Sequence, residues 1–378
     1  MPKRYEVIVI GVGAMGASTC YQLASRGLSV LGLDRFDIPN TLGTSHGQSR
    51  AIRMCYFEHP DYVPLLRRSY ELWRSLEKEN GQQILHVTGG IWFGPAECEL
   101  IAGSLSAAKE HGLDHQWLNH DEAIKRYPQF TVPEEFVGFY EPQAGVLLPE
   151  AIITAYARLA KQLSATLLAN VPVQSWEADS SGVVVQTTNG FYEADKLVIC
   201  SGVWSEKLIK DLGVDLPVTR QIALWVQPER EELFAIGAMP IWAINREAGG
   251  MYYGFPVLDD KPGFKLAVHN PGELTNPDKI DRVAHPQETE ELREMLSRYI
   301  PQANGEVLEA SVCMYSNTPD AHFVIDHHPH YENVFIACGF SGHGFKFASV
   351  VGEALADLAT TGRTDLPIGF LGLGRFVN

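Results

Sequence analysis

The chain has 378 residues, a length that suits two or three domains, and its 46 acidic residues outnumber its 30 basic ones to give a formal charge of −16. Such a surface repels phosphate backbones and anionic lipid, which disfavours nucleic-acid and membrane partners. No apolar stretch approaches the roughly 18 residues that cross a bilayer, and neither terminus resembles a targeting signal, so we expect a soluble, cytoplasmic protein.

The six cysteines, at positions 20, 55, 98, 200, 313 and 338, are widely scattered. They form no C-x-x-C pair, and no cysteine–histidine spacing suits zinc, so we expect no metal site. Five of the six are interpreted as reduced, mostly buried thiols, and Cys313 is the exception.

The amino-terminal segment predicts a βαβ unit with parallel strands. Residues 5–10 form a β-branched run, a helical pattern extends to about Arg26, and residues 28–33 form a second apolar strand that ends at Asp34. The segment Gly11-Val12-Gly13-Ala14-Met15-Gly16 lies between the first strand and the helix, and Asp34 follows it by 18 residues. This arrangement is the dinucleotide-binding fingerprint, in which the helix start faces the pyrophosphate and the acidic residue accepts hydrogen bonds from the ribose. The motif alone does not choose between NAD and FAD.

The rest of the chain contains both helical patterns and strand patterns. Helical patterns cover residues 65–76 and 149–163, and strands at 171–176 and 183–188 lead into an Asn189-Gly190 hairpin turn. Residues 218–269 are largely strands, a helix follows at 287–299, and a strand at 334–338 enters a glycine-rich loop and a helix at 345–360. We therefore predict an α/β (α+β) fold, in which a discontinuous Rossmann-type domain (1–80, 150–215 and 320–378) carries an inserted, mostly antiparallel sheet domain (81–149 and 216–319).

Four segments resemble the monomeric sarcosine oxidase family, which includes N-methyltryptophan oxidase and pipecolate oxidase. They are residues 45–53 (SHGQSRAIR), 252–256 (YYGFP), 313–320 (CMYSNTPD) and 339–346 (GFSGHGFK). Their order and spacing cover nearly the whole chain. The resemblance implies an FAD-dependent oxidase, expected to be monomeric, that converts sarcosine or a related N-methyl or cyclic amino acid to an imine and reduces O2 to H2O2.

The resemblance also implies roles for individual residues. Cys313 matches a cysteine that is joined covalently to the flavin 8α-methyl group, a bond for which a thiolate is the required nucleophile. The expected catalytic residues are Lys265, near flavin N5 where its charge promotes reaction with oxygen, His269, Arg50 and Tyr315. The expected substrate residues are Arg53 and Lys346 for the carboxylate, Tyr253 and Gly342. The expected cofactor residues are Gly11, Gly13, Ala14, Met15, Gly16, Asp34, Ser45, His46, Ser49, Arg50, Val173, Gly202, Cys313, Gly342, Gly344, Phe345 and Lys346.

Simple structural explanations compete with these roles. Arg50 and Arg53 are three residues apart and would share a face of a helical turn, but they could also be surface arginines. Lys265, Ala267 and His269 alternate on one strand and so share a face, which would be solvated if the strand lay at a sheet edge. Ala243 stands where sarcosine-specific relatives have methionine, which predicts a wider pocket.

Three alternative functions stay open on the sequence. The first is a flavin dehydrogenase that passes electrons to a carrier protein. Lys265 disfavours it, because the resemblance implies that this residue promotes reaction with oxygen. The second is an NAD-dependent dehydrogenase on the same βαβ unit. The third is a non-catalytic flavin-binding protein, which would have no need for the cationic cluster of Arg50, Arg53 and Lys346.

Overall fold

The computed structural model describes residues 4–209, 211–259, 262–269 and 272–376. The outermost residues considered for targeting signals, 1–3 and 377–378, lie outside this part of the chain. The α-helices are α1 (Ala14–Ser25), α2 (Tyr62–Asn80), α3 (Glu99–His111), α4 (His120–Arg126), α5 (Pro149–Gln162), α6 (Ser205–Leu208), α7 (Pro286–Tyr299) and α8 (Ala348–Thr361). Short 3-10 turns cover Gly202–Trp204, Glu231–Leu233, Pro301–Ala303, Phe345–Phe347, Gly369–Leu371 and Leu373–Phe376.

Three sheets contain all the strands named here. The strands are β1 (Arg4–Ile10), β2 (Val30–Leu33), β3 (Arg50–Ile52), β4 (Leu85–Val87), β5 (Gly90–Gly94), β6 (Gln116–Leu118), β7 (Val137–Glu141), β8 (Gly145–Leu147), β9 (Thr166–Leu168), β10 (Val173–Asp179), β11 (Gly182–Thr187), β12 (Gly190–Ile199), β13 (Val218–Val226), β14 (Ile241–Asn245), β15 (Met251–Gly254), β16 (Phe264–His269), β17 (Val307–Ser316), β18 (Val324–His328) and β19 (Tyr331–Cys338).

The first sheet has the parallel centre of a Rossmann-type unit. Strand β1 is flanked by β2 and β12, and β9 and β19 extend the parallel part on either side. The apolar run of β1 is buried, as expected for a strand covered on both faces. Helix α1 packs against α5 and α8. The predicted β11–β12 hairpin forms, but its turn residues are Thr188 and Asn189, because Gly190 already pairs with Thr187 as the first residue of β12.

The second sheet has eight strands in the order β17-β13-β16-β15-β14-β5-β7-β6, and only the β14–β5 pair is parallel. This arrangement confirms the mostly antiparallel sheet. Strand β16 lies between β13 and β15, so Lys265 and His269 do not belong to an edge strand. A separate apolar core, which includes Trp242 and Phe264, lies on one face of this sheet beneath α7.

The third sheet corrects one prediction. Arg50 begins β3, which pairs with β8 in an antiparallel sheet of three short strands, and Arg53 follows its end. The helical turn expected for these two arginines is therefore wrong. The pairing with β8 holds this segment extended, so a three-residue spacing no longer places the two side chains on one helical face. No helix in the described part of the chain is long and apolar enough to cross a membrane.

Candidate active site

One cleft begins at the carboxyl ends of β1 and β2 and continues to the inner face of the second sheet. Gly13, Ala14 and Met15 line its first end, where α1 begins without an acidic residue in its first turn. Asp34 is buried beside them, and its carboxylate accepts hydrogen bonds from the Val12 amide at 2.7 Å and the Phe36 amide at 2.9 Å. A helix start without acidic residues, next to a fixed carboxylate, suits a pyrophosphate and a ribose.

The cleft brings together all the expected cofactor and substrate residues except two. Gly11 and Gly16 do not line it and instead permit close packing behind it. Gly11 has a φ of +86°, and a Cβ there would lie 2.4 Å from the Cys200 carbonyl oxygen. A Cβ on Gly16 would lie 1.8 Å from the Gly11 carbonyl oxygen. These two glycines therefore shape the strand–helix turn, as the fingerprint requires.

Lys265 is a buried lysine that lines the cleft. Its Nζ donates hydrogen bonds to the Gly47 carbonyl oxygen, to the Ser49 carbonyl oxygen at 3.1 Å and to Ser49 Oγ at 3.2 Å. The ammonium lies 5.0 Å from the ring centres of both Trp225 and Phe255. Burial, followed by the positive charge of Arg50, lowers the pKa of Lys265 well below its ordinary value.

Cys313 lies on β17 in an environment that favours the thiolate. Its Sγ is 4.0 Å from the Thr44 carbonyl oxygen. Burial acts to raise the pKa of the Cys313 thiol, but the hydrogen bond with His46 and the charge of Arg50 outweigh it and lower the pKa to about 7. The other cysteines with a shifted pKa have it raised, mainly by burial. Cys313 is thus the thiol best prepared for nucleophilic chemistry.

Arg53 is buried and already paired with a carboxylate. Its Nη2 lies 2.6 Å from both oxygens of Glu58, and its guanidinium lies 4.3 Å from the ring centres of Tyr56 and Phe57. Burial favours the neutral form of Glu58, but the charges of Arg53, His343 and Lys346 lower its pKa to about 2. Any further anion that binds Arg53 must therefore displace or share its ion pair with Glu58.

Lys346 supplies a second cation on the same side of the cleft. It lies in the 3-10 turn Phe345–Phe347, one turn before α8, whereas the sequence placed it in the helix itself. Its Nζ donates a hydrogen bond of 2.7 Å to the His343 carbonyl oxygen. Burial, together with the charge of Arg53, lowers the pKa of Lys346 to about 7 against the opposing charge of Glu58.

Aromatic side chains and His269 line the same cleft and contact one another. His269 Nδ1 lies 3.4 Å from the hydroxyl of Tyr315, and the His269 ring centre is 6.4 Å from that of Tyr253. Gly342 lies against the Tyr315 ring. Burial lowers the pKa of His269 to about 4, so its imidazole is neutral near pH 7 and can accept or donate a hydrogen bond without a charge.

Sequence reasoning missed two acidic residues of this site. Glu58 forms an ion pair with Arg53. Glu150 accepts a hydrogen bond from the amide of Gly47, whose carbonyl oxygen accepts a hydrogen bond from Lys265. The only sequence signal for Glu58 is an acidic residue five positions after Arg53. Glu150 is more than 100 residues from its partners and gave no signal. The described residues contain no group of side chains able to hold a metal ion.

The protein has the features of a dinucleotide-dependent redox enzyme. Its Rossmann-type sheet carries a dinucleotide fingerprint, and the cleft that begins at this fingerprint also contains buried basic side chains. Residues 6–358 match the family model described as "FAD dependent oxidoreductase". The chain belongs to this family, which selects FAD over NAD as the cofactor.

Two curated relatives and one solved structure make the likeness more specific. The chain is 42% identical to monomeric sarcosine oxidase of Streptomyces avermitilis over 376 residues, which cover 98% of this chain and 97% of that protein. It is 33% identical to N-methyl-L-tryptophan oxidase of Escherichia coli strain K12, with 99% and 100% of the two chains covered. The structure of NikD, an amino acid oxidase of nikkomycin biosynthesis, matches with a TM-score of 0.85 and 26% identity over 98% of this chain and 97% of that chain.

Proposed function

We propose that this protein is an FAD-dependent oxidase of small secondary amino acids such as sarcosine, N-methylalanine, proline or pipecolate. The observation that carries the proposal is the continuity of the cleft, in which the dinucleotide end leads directly to the buried cations Arg53 and Lys346. The named relatives, which act on sarcosine and N-methyl-L-tryptophan, support the same class of substrate.

The residues present fit FAD. Its pyrophosphate would lie at the start of α1 near Gly13, its ribose near Asp34, and its flavin between Arg50, Lys265 and Cys313. When bound, FAD accepts two electrons from the amine substrate and returns them to oxygen. The balanced reaction takes two electrons and two protons from the amine to give an imine, which water hydrolyses, and O2 receives the same number to become H2O2.

The side chains around this position bind and orient the substrate. Arg53 and Lys346 hold the carboxylate through charge-assisted hydrogen bonds, and Glu58 releases Arg53 as they form. Neutral His269 and the hydroxyl of Tyr315 lie beside the amine without adding charge. Lys265 presents a cation where negative charge develops on oxygen.

Strand β14 of the second sheet supports a broad substrate range. Ala243 on β14 lines the cleft and pairs with Trp92 and Tyr253 in the neighbouring strands. Its small side chain leaves room at this wall for N-methyl amino acids with side chains and for cyclic amino acids. Oxygen uptake and peroxide formation should therefore be measured with sarcosine, N-methylalanine, proline, pipecolate, glycine and methylamine. Activity confined to glycine or methylamine, or electron transfer only to an artificial acceptor, would overturn the proposal.

We also propose the domain division predicted from the sequence. All strands of the first sheet fall within 1–80, 150–215 and 320–378, and all strands of the second fall within 81–149 and 216–319, which supports the division. The third sheet joins the two parts through the pairing of β3 with β8. We further propose that the enzyme acts as a monomer, in line with the name of the sarcosine oxidase relative, and that it acts in the cytoplasm.

We propose a covalent bond between Cys313 and the flavin, supported by the lowered thiol pKa. Acid denaturation of the purified, flavin-loaded protein should leave the yellow colour in the precipitate. Cys313→Ser should release FAD to the supernatant, because a hydroxyl is a far weaker nucleophile than a thiolate. Cys338→Ser serves as the control, since Cys338 is buried in the core and its pKa is raised by burial. Free FAD from the unmodified protein would refute the bond.

Carboxylate binding should depend on pH through Lys346. Its pKa of about 7 in the free protein means that the cation is present below pH 7 and is lost as the pH rises. Because a bound carboxylate favours the charged form, the affinity for acetate should be highest below pH 7 and fall by up to about tenfold per pH unit above it. Flavin absorbance titrations between pH 6 and 9 measure this. Lys346→Met should weaken binding and flatten the profile, and a flat profile in the unmodified protein would disprove the role.

A further inference from the structure

We propose that Glu150 is a positioning residue for Lys265, which it holds in place through the Gly47–Gln48 peptide. This inference rests on the proposed role of Lys265 beside the flavin. Glu150 does not line the cleft itself, so it acts only through other groups.

The carboxylate of Glu150 accepts hydrogen bonds from two successive backbone amides. Glu150 lies in the first turn of α5, and its Oε1 accepts a hydrogen bond from the Gly47 amide at 2.7 Å. Both carboxylate oxygens lie 3.2 Å from the Gln48 amide. Gly47 and Gln48 have φ values of +101° and +69°, a backbone conformation that needs external support at the non-glycine position.

The same peptide unit connects Glu150 to Lys265. In a planar trans peptide the carbonyl and the N–H point in opposite directions. The Gln48 N–H points to Glu150, and the Gly47 carbonyl oxygen accepts a hydrogen bond from Lys265 Nζ. A Cβ on Gly47 would lie 3.4 Å from both Lys265 Nζ and Arg50 Nη1, so the loop lies directly against these cations. When Glu150 fixes the N–H, it therefore also fixes the oxygen that holds Lys265.

The charge of Glu150 acts on Lys265 in addition to this geometry. The groups that influence the Lys265 ammonium are Arg50 on β3, Cys313 and Glu309 on β17, and Glu150 on α5. Burial and Arg50 disfavour the ammonium, whereas the carboxylates of Glu150 and Glu309 favour it, as does Cys313 while it is a free thiolate. Removal of the negative charge at position 150 should therefore lower the Lys265 pKa further.

A purely structural role would look different. A glutamate in the first turn stabilises a helix through the helix dipole, and its loss would lower stability without affecting Lys265. Glu77 offers a matched control, because its Oε1 also accepts two successive amides, those of Ile84 and Leu85, at 2.9 Å each. Glu77 and its two partners all lie outside the cleft that contains Lys265.

The test compares Glu150→Gln, Glu150→Ala and Glu77→Gln in the flavin-loaded protein. Protein labelled with 13C at lysine Cε gives the Lys265 pKa by NMR titration, with Lys265→Met to assign the signal. Stopped-flow mixing with oxygen gives the reoxidation rate of the reduced flavin, and melting curves give stability.

We expect Glu150→Ala to slow reoxidation by about tenfold or more, as displaced catalytic groups do. Glu150→Gln, which keeps an acceptor but loses the charge, should have a smaller effect. Both should lower the Lys265 pKa, so that reoxidation declines at a lower pH, while Glu77→Gln should change neither quantity. An unchanged Lys265 pKa in Glu150→Gln, or an equal change in Glu77→Gln, would overturn the inference. The NMR titration decides this even if Lys265→Met shows that Lys265 does not serve reoxidation.

Discussion

Replacement of Lys265 by methionine should slow the reaction of the reduced flavin with oxygen by about a hundredfold, the scale of a lost preorganised charge. Lys265 is buried, donates three hydrogen bonds and faces two aromatic rings, so no water or mobile ion replaces its charge easily. Methionine preserves the length and apolar contacts of the side chain. The rate is measured by stopped-flow mixing of reduced enzyme with oxygenated buffer.

Anaerobic reduction of the flavin by substrate should suffer much less from the same change. The control is Lys161→Met, since Lys161 is exposed in the last turn of α5 and should leave both half-reactions unchanged. Equal slowing of both half-reactions in Lys265→Met would show that Lys265 does not act on oxygen in particular.

Arg53→Met should weaken the binding of substrate and of carboxylate inhibitors by about 1.5–3 kcal/mol, the contribution of a hydrogen bond to a charged group. The loss should appear mainly in KM and in inhibitor Kd. Because Arg53 is paired with Glu58, the single variant also leaves a buried carboxylate without its partner. The double variant Arg53→Met with Glu58→Gln removes this charge, and it should still bind acetate more weakly than Glu58→Gln alone does.

A second arginine–glutamate pair provides the control for Arg53. Arg68 donates to both oxygens of Glu353 at 2.8 and 2.6 Å, outside the cleft. Arg68→Met should affect stability but neither KM nor the order of substrates. If Arg53→Met left the preference for sarcosine over methylamine unchanged, Arg53 would not bind the carboxylate.

Local patterns predicted much of the fold. The glycines before α1 and Asp34 after β2 define the dinucleotide end because a strand, a helix and a strand follow one another within one short segment. The alternation of Lys265, Ala267 and His269 correctly predicted a shared face, because side chains on a strand repeat every two residues.

Tertiary pairing explains what the sequence did not predict. The helical turn assumed for Arg50 and Arg53 fails because β8, almost 100 residues later, pairs with Arg50 and keeps the chain extended. The hydrogen bond between Glu150 and the Gly47 amide joins residues that are 103 positions apart in sequence. It depends on how α5 packs beside the loop that contains Gly47. The pairing of Arg53 with Glu58 is close in sequence, but it depends on a buried, irregular segment without a periodic signal.

Anaerobic mixing of the flavin-loaded protein with secondary amino acids tests the proposed activity most directly, because it requires neither oxygen nor a carrier. Sarcosine, N-methylalanine, proline and pipecolate should each be compared with glycine and methylamine by following the flavin absorbance. We expect at least one secondary amino acid to bleach the flavin rapidly and far faster than glycine or methylamine does. A flavin that stays oxidised with all four secondary amino acids, or that methylamine bleaches equally fast, would contradict the proposed function.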